Sequence, residues 1–146
     1  MKTIKGDVLL IEDNENDAEL TLHSLKSANL SNNIYWVQDG EQAINLLFSE
    51  GPYKDKEPYL PKLILLDLRM PKVDGLEVLK QIRSNKKTEM IPVVVMTSSA
   101  EEQDILKSYK LGANSYVTKP INFEDFAKVV TDLGFYWLFI NKGIYD

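Results

Sequence analysis

The stretch that decides the fold is Leu63-Ile64-Leu65-Leu66-Asp67-Leu68-Arg69-Met70-Pro71-Lys72-Val73-Asp74-Gly75. Its first four residues form a short, continuous apolar run, which is typical of a strand buried on both faces of a parallel sheet. The run ends at a carboxylate, Asp67, and a turn containing proline then leads to Gly75 and an amphipathic segment. Because open α/β sheets bind their ligands at the carboxyl ends of strands, Asp67 is predicted to be the reacting residue.

Other segments of the chain repeat this order of a short apolar run and then a stretch with helical spacing. The predicted strands are residues 7–11, 34–37, 63–66, 91–97 and 114–118. Strands and helices therefore alternate five times, which is typical of a parallel sheet covered on both faces by helices. The predicted fold is α/β: a flavodoxin-like, doubly wound, five-stranded parallel sheet of order 2-1-3-4-5 with five helices.

Polar residues at the starts of the helices predict where those helices begin. The first helix has two candidate N-caps, Asn14 and Asn16, and the last has Asn122 or Thr118. The pair Ser98-Ser99 is predicted to cap the fourth helix. Asp17 and Asp74 are predicted to be surface or capping residues, and the single histidine, His23, is predicted to lie on the first helix without a catalytic role.

Length and composition predict a single domain. The chain has 146 residues, of which 44% are hydrophobic and 27% charged, and its net charge is −5. These values are ordinary for a globular protein, and the negative charge argues against nucleic acid or an anionic membrane as the main partner. There is no cysteine, which excludes disulfides and thiolate chemistry. With no signal sequence or apolar run long enough to span a membrane, the expected location is the cytoplasm.

Polar residues follow four of the predicted strands. Glu12 and Asp13 follow the first strand, and the third, fourth and fifth end at Asp67, Thr97 and Lys119. Since parallel strands all point the same way, these side chains are predicted to share one crevice. Clustered carboxylates raise one another's pKa values, and Mg²⁺ with its preference for oxygen ligands removes that cost. A carboxylate nucleophile beside a cation, an ammonium and a hydroxyl is suited to phosphoryl transfer.

With these residues in this order, the chain resembles the receiver domains of two-component response regulators. The resemblance covers roughly residues 6–133, and it rests on Glu12-Asp13, Asp67 to Pro71 with Asp74-Gly75, Thr97-Ser98 and Lys119-Pro120. It implies a single-domain response regulator of residues 1–146, with residues 134–146 as a C-terminal aromatic helix extension. Such a protein is not an enzyme with an external substrate; it catalyses only its own phosphorylation and dephosphorylation.

The resemblance also implies a role for each residue of the metal site. Asp67 accepts a phosphoryl group from a sensor histidine kinase. Asp13, Asp67 and the backbone carbonyl of Arg69 bind Mg²⁺, and Glu12 binds it through water.

Three further roles come from the same resemblance. Lys119 pairs first with the Asp67 carboxylate and then with the phosphoryl group. Thr97 turns toward a phosphoryl oxygen, and Tyr116 is the aromatic residue whose ring moves inward when Thr97 moves. The Lys119–Pro120 bond is expected to be cis.

A closer resemblance concerns the proline-rich connection at residues 50–62 and the aromatic tail, Phe135 to Ile140. Both are similar to the small regulators that partner phytochrome-type kinases. The tail either folds back on its own domain or forms an interface, because clustered exposed aromatic residues mark contact surfaces. The interface hypothesis is a homodimer through helix 4, strand 5, helix 5 and the tail. The output is then protein–protein contact or onward phosphotransfer.

Two alternative functions are a phosphatase with an aspartate nucleophile and a flavin- or nucleotide-binding module. A phosphatase with an aspartate nucleophile resembles a pattern with a second aspartate two residues later, where this chain has Arg69, which cannot act as acid and base. A flavin- or nucleotide-binding module needs a glycine- or hydroxyl-rich phosphate loop after the first strand. This chain has Glu12 to Glu15 there, which would repel phosphate unless a metal intervened.

Overall fold

The computed structural model describes residues 7–31, 33–56, 59–70 and 72–143. The strands are β1 (Val8–Ile11), β2 (Ile34–Val37), β3 (Leu63–Leu66), β4 (Val93–Thr97) and β5 (Ser115–Thr118). The helices are α1 (Glu15–Ser27), α2 (Gly40–Leu47), α3 (Gly75–Ser84), α4 (Glu102–Lys110) and α5 (Phe123–Phe135). A 3₁₀ turn (Gly51–Tyr53) lies in the proline-rich connection, and a π-helical turn (Tyr136–Ile140) follows α5. Pro71 and residues 1–6, 57–58 and 144–146, to which some sequence predictions refer, lie outside the described residues.

The five strands form one parallel sheet of order β2-β1-β3-β4-β5. This confirms the predicted fold class, strand order and number of helices. The central strands β1, β3 and β4 are buried throughout, as their continuous apolar sequences require. The edge strands β2 and β5 are mostly half-buried, so their sequences are more mixed.

Successive residues of the central strands pack on opposite faces of the sheet, because side chains alternate along a strand. One face carries the cluster that includes Ile64 and Leu66, covered by α2 and α3. The other carries the cluster that includes Leu63 and Leu65, covered by α1 and α5. Burial of each large side chain on both faces contributes about 1.5–3 kcal/mol, so these four-residue strands hold the sheet together.

Side chains cap four of the five helices. Asn14, rather than Asn16, caps α1 by accepting from the backbone N–H of Asp17, and Asn122 caps α5. Asp39 caps α2, and Asp74 caps α3 as predicted.

The fourth helix begins differently from the prediction. It starts at Glu102, and no side chain caps it. Ser98-Ser99 lie too far upstream to cap it, and the Ser99 hydroxyl instead donates to the Asp104 carboxylate at 2.6 Å. The same hydroxyl accepts from the Glu101 N–H at 3.3 Å, so Ser99 orders the turn that precedes α4 and does not cap the first turn of the helix.

The aromatic tail has two kinds of side chain. Trp137 and Leu138 are half-buried and pack on the cluster between the sheet, α1 and α5. Two phenylalanines, Phe135 and Phe139, stack on each other at 6.2 Å and remain exposed. Folding back on the same chain therefore accounts for part of the tail, and an exposed aromatic surface is left.

None of the helices in the described part of the chain is long and apolar enough to cross a membrane.

Gly75 is expected to be irreplaceable where α3 starts. A Cβ there would meet the Asp67 carbonyl oxygen and lie 2.6 Å from the Leu68 Cα, both backbone atoms that cannot rotate away. We expect Gly75→Ala to lower the free energy of unfolding by about 1–3 kcal/mol, measured by urea denaturation.

Gly134→Ala is the matched control for this substitution. A Cβ at Gly134 would meet the ends of the Leu25 and Leu30 side chains, at 2.5 and 3.0 Å, and these can change rotamer. Alanine is also the better helix former inside α5 by roughly 1 kcal/mol. Equal losses in the two variants would contradict the role given to Gly75.

Candidate phosphorylation and metal site

The registers of the central strands bring the acidic residues together. Ile11 and Leu66 are paired in neighbouring strands, so the residues that follow them, Glu12 and Asp67, lie side by side. The backbone N–H of Asp67 donates to the Ile11 carbonyl at 3.0 Å, which extends the ladder to the phosphoacceptor candidate itself. Asp67 is 7% exposed, and Glu12 is 3% exposed. Two carboxylates are thus held at the end of the sheet, nearly out of water.

The other half of the sheet delivers the ammonium and the hydroxyl. Thr97 is paired with Thr118, and the N–H of the next residue, Lys119, donates to the Thr97 carbonyl at 2.7 Å. Thr97 is completely buried. The peptide bond from Lys119 to Pro120 is trans, so the expected cis bond is wrong. Trans is the more stable isomer of an X–Pro bond by about 0.5–1 kcal/mol, and nothing in the local sequence overrides that preference.

The ammonium of Lys119 contacts three carboxylates. Its Nζ lies 2.6 Å from Glu12 Oε1, 2.8 Å from Asp17 Oδ2 and 3.1 Å from Asp67 Oδ2. The Lys119 side chain is only 8% exposed. Burial by itself would lower the pKa of Lys119, but hydrogen bonds to Asp17 and Glu12 and the charge of Asp67 raise it overall. Lys119 is therefore charged at neutral pH.

Glu12 shows how much negative charge is gathered at this edge. Burial, followed by the charge of Asp67 and a hydrogen bond with it, raises the pKa of Glu12 to about 8, although Lys119 acts in the opposite direction. One positive charge does not neutralise the carboxylates that surround it, so Glu12 retains a proton near neutral pH in the absence of a further cation.

This raised pKa predicts how stability varies with pH in metal-free buffer. The folded state holds a proton on Glu12 that the unfolded chain has released above its ordinary pKa of 4.5. The free energy of unfolding should therefore fall as pH rises from about 4.5 to about 8, by up to roughly 1.4 kcal/mol per pH unit from this group. Urea denaturation in EDTA at several pH values measures this dependence of the free energy of unfolding on pH. Glu12→Gln, which cannot titrate, should lack this dependence, and parallel profiles for the two proteins would contradict the assignment.

Glu12, Asp13 and Asp67 form a cluster whose ligand oxygens all lie within 4.8 Å of one another. Asp13 is the exposed member of the three. The all-oxygen donor set and the proton retained by Glu12 fit a hard divalent cation, which would replace that proton. The Arg69 N–H donates to Asp67 Oδ1 at 3.3 Å. The expected role of the Arg69 carbonyl as a metal ligand stays a prediction.

A second polar network lies beside the cluster. The Arg69 guanidinium donates to Asp104 Oδ2 at 2.7 Å, the same oxygen that accepts from the Ser99 hydroxyl. The hydrogen bond from Ser99 and the ion pair with Arg69 lower the pKa of Asp104. Tyr116 is half-buried, and its hydroxyl donates to the Ser99 carbonyl at 2.8 Å. Arg69 is therefore tied to the first turn of α4, and Tyr116 to the segment between β4 and α4.

The sequence missed two acidic residues of the site. Asp17 was predicted to be a surface or capping residue, and it is instead the second carboxylate on Lys119. Asp104, which lies in the first turn of α4, was not predicted to be part of the site. The signal for Asp17 was available, since the first turn of α1 follows β1 directly and so begins at the carboxyl edge of the sheet. His23 lies exposed on α1, where it shares a hydrogen bond with Ser27, away from the cluster.

Known regulatory proteins are similar to this chain over most of its length. It is 40% identical to the response regulator Rcp1 of Synechocystis sp. over 131 residues, covering 90% of this chain and 88% of Rcp1. It is also 40% identical, over 137 residues, to the probable methanogenesis regulatory protein FilR2 of Methanothrix harundinacea, covering 93% of this chain and 86% of FilR2. The crystal structure of the Mn²⁺-bound form of Rcp1 matches with a TM-score of 0.86 and 37% identity, over 98% of this chain and 99% of that one.

A further structure is that of the phosphorylated cyanobacterial phytochrome response regulator RcpA. It matches with a TM-score of 0.87 and 37% identity, over 94% of this chain and 96% of that one. The family model of the response regulator receiver domain matches residues 8–131, which include every strand and most of α5. The chain belongs to the response regulator receiver domain family, a family of signalling domains of two-component systems.

Proposed function

We propose that the protein is a single-domain response regulator that accepts a phosphoryl group on Asp67 from a sensor histidine kinase, in a Mg²⁺-dependent reaction. The observation that carries this proposal is the position of Asp67, a buried carboxylate that contacts the Lys119 ammonium at the edge of an acidic cluster. Phosphorylation then changes protein–protein contacts or allows the phosphoryl group to be passed on.

The proposed metal ligands are Asp13, Asp67 and the Arg69 carbonyl, with Glu12 acting through water. Bound Mg²⁺ would neutralise charge on the phosphoryl oxygens. The support for this site is the close approach of the three carboxylates and the raised pKa of Glu12. That Rcp1 has a Mn²⁺-bound form is consistent with a divalent cation in this family.

Each remaining residue has one proposed task in the transfer. An Asp67 oxygen attacks phosphorus, the bond from phosphorus to the imidazole nitrogen of the kinase breaks, and that nitrogen keeps the electron pair. Lys119 offsets the charge that Asp67 gains. Thr97 then donates its hydroxyl to a phosphoryl oxygen, and Tyr116 responds by leaving its hydrogen bond with the Ser99 carbonyl. Water can then attack phosphorus, the bond from phosphorus to the Asp67 oxygen breaks, and inorganic phosphate leaves, so the domain also dephosphorylates itself.

The proposed kinase is of the phytochrome type and the proposed location is the cytoplasm. The kinase assignment is supported by the similarity to Rcp1 and to RcpA, which is described as a phytochrome response regulator. The Arg69 side chain supports a regulator rather than a phosphatase, because it pairs with Asp104 and offers no acid or base beside Asp67.

The experiment that tests the proposal uses acetyl phosphate as the donor, so that no kinase has to be known. The intact protein with Mg²⁺ should gain the mass of one phosphoryl group, located in the peptide that contains Asp67. With EDTA in place of Mg²⁺ the gain should be absent. A protein that gains nothing with Mg²⁺, or is modified on another residue, would contradict the proposal.

We also propose a homodimer through α4, β5, α5 and the tail. Large apolar side chains are exposed on α4, at Leu106 and Tyr109, and at the end of α5 and in the tail, at Phe135 and Phe139. Exposed apolar groups of this kind are typical of an interface.

Substitution in the tail should weaken this dimer. Phe135→Lys combined with Phe139→Lys places two charges on the exposed stacked pair, and sedimentation velocity should show a shift toward monomer, by at least about tenfold in dissociation constant. Met90→Lys is the control, since Met90 is as exposed but lies before β4. Unchanged association in the tail variant would contradict the proposed interface.

A further inference from the structure

Asp17 occupies a distinct place among the three carboxylates that contact Lys119. Glu12 and Asp67 belong to the metal cluster, and Asp17 does not. It lies on α1, and its side chain is 30% exposed. An ammonium group has three N–H donors, so the three carboxylates use all of them. Lys119 therefore cannot turn further toward Asp67 without giving up a partner.

The first turn of α1 fixes the Asp17 backbone. Its N–H donates to Asn14 Oδ1 at 2.9 Å, and its carbonyl accepts from the Thr21 hydroxyl at 2.8 Å. The carboxylate is thus presented to Lys119 by a capped helix rather than by a loop. An oxygen of Asp17 and an oxygen of Asp67 both lie within about 3 Å of the same nitrogen.

We propose that Asp17 is a positioning residue that holds Lys119 and withholds part of its positive charge from Asp67, so that the resting protein resists anionic phosphoryl donors. This inference rests on the proposed function, because it concerns the same transfer to Asp67. Asp17 acts through Lys119 and does not touch the reacting atoms.

The charge changes during phosphoryl transfer explain why removal of the Asp17 charge should make phosphorylation faster. An Asp67 oxygen attacks the phosphorus of acetyl phosphate, the bond from phosphorus to the acetyl oxygen breaks, and acetate leaves with the electron pair. The donor is an anion, and the Asp67 side chain gains negative charge when it becomes an acyl phosphate. A neutral residue 17 would leave more of the ammonium's charge for that group, so phosphorylation should be faster.

Asp17→Asn tests this inference, because the amide oxygen still accepts from Lys119 but the charge is gone. At saturating Mg²⁺, the second-order rate constant for phosphorylation by acetyl phosphate should rise about 3- to 10-fold, as expected for one removed charge at this distance. Asp17→Glu keeps the charge and should stay close to the wild-type rate constant. Glu15→Gln removes an exposed acid from the same turn and should change little.

A second measurement does not depend on the reaction. Without the Asp17 charge, more of the ammonium's positive charge acts on Glu12 and Asp67, so calorimetric titration should give a weaker Mg²⁺ affinity in Asp17→Asn than in Glu15→Gln. A rate constant that is unchanged or lower in a folded Asp17→Asn protein would overturn the inference, and so would a variant that fails to fold, since Asp17 would then be structural. Wild-type protein that takes no phosphoryl group contradicts the proposed function instead.

Discussion

Replacement of Asp67 by asparagine is expected to abolish phosphorylation by acetyl phosphate completely while leaving the fold in place. The asparagine side chain cannot form an acyl phosphate. Its amide group carries no negative charge to attack phosphorus, and the lone pair of its nitrogen is delocalised. Lys119 donates to Oδ2 of Asp67 and the Arg69 N–H donates to Oδ1, so the asparagine oxygen keeps one of these two hydrogen bonds and the other is lost. We therefore expect the free energy of unfolding to change by no more than about 1–2 kcal/mol.

The Asp67→Asn variant should also differ from the wild type in how its stability depends on pH. The charge of Asp67 is one of the causes that raise the pKa of Glu12. Without it that pKa should fall, so the decline of stability with rising pH in EDTA should be weaker than in the wild type. Intact mass after incubation with acetyl phosphate and Mg²⁺ measures the first effect, and urea denaturation measures the second.

Asp74→Asn is the matched control for this result. Asp74 follows the same strand, and asparagine caps a helix as well as aspartate does, so the cap of α3 should be kept. This variant should be phosphorylated like the wild type. A mass gain that persists in Asp67→Asn would show that another residue is the phosphoacceptor.

Lys119→Met is expected to give the largest loss of stability. Methionine has a similar volume but leaves Glu12 and Asp67 buried with no ammonium beside them, and removal of one partner from a buried ion pair costs about 3–5 kcal/mol. Urea denaturation in EDTA at pH 8 should show this loss. At pH 5 the loss should be smaller, because protonation of the carboxylates removes the repulsion that Lys119 offsets.

Lys128→Met provides the comparison for an exposed pair. Lys128 and Asp132 form an ion pair of 3.1 Å on the surface of α5, with both side chains more than half exposed. Exposed pairs of this kind contribute about 0–1 kcal/mol, so this variant should be near the wild type at both pH values. A loss in Lys119→Met that is independent of pH would indicate that packing, rather than charge, explains the role of Lys119.

Local sequence was enough to predict the sheet, because the order of its strands follows from features that neighbouring residues determine. Leu63 to Leu66 had to be buried on both faces, and only a central strand of a parallel sheet provides that environment. The strand ends then placed Glu12, Asp67, Thr97 and Lys119 at one edge, and the structure brings these residues together. The observed caps Asn14, Asp74 and Asn122 were among the candidates for the same local reason.

The predictions that failed concern choices between partners. Ser99 was predicted to cap α4, but its hydroxyl accepts from the Glu101 N–H ahead of the helix and donates to the Asp104 carboxylate on it. The partner of the Arg69 side chain, Asp104 on α4, was not predicted either.

The sequence by itself determined the strands, the caps, the family and the identity of the residues at the sheet edge, because each depends on short-range pattern or on residue type. Only the tertiary structure decided which carboxylates contact the Lys119 ammonium. Lys119 is linked to Asp17 across the chain, and the distances of 2.6, 2.8 and 3.1 Å to its three carboxylates depend on the strand registers and on where α1 begins. Electrostatic interaction varies with separation and burial, neither of which a linear sequence contains.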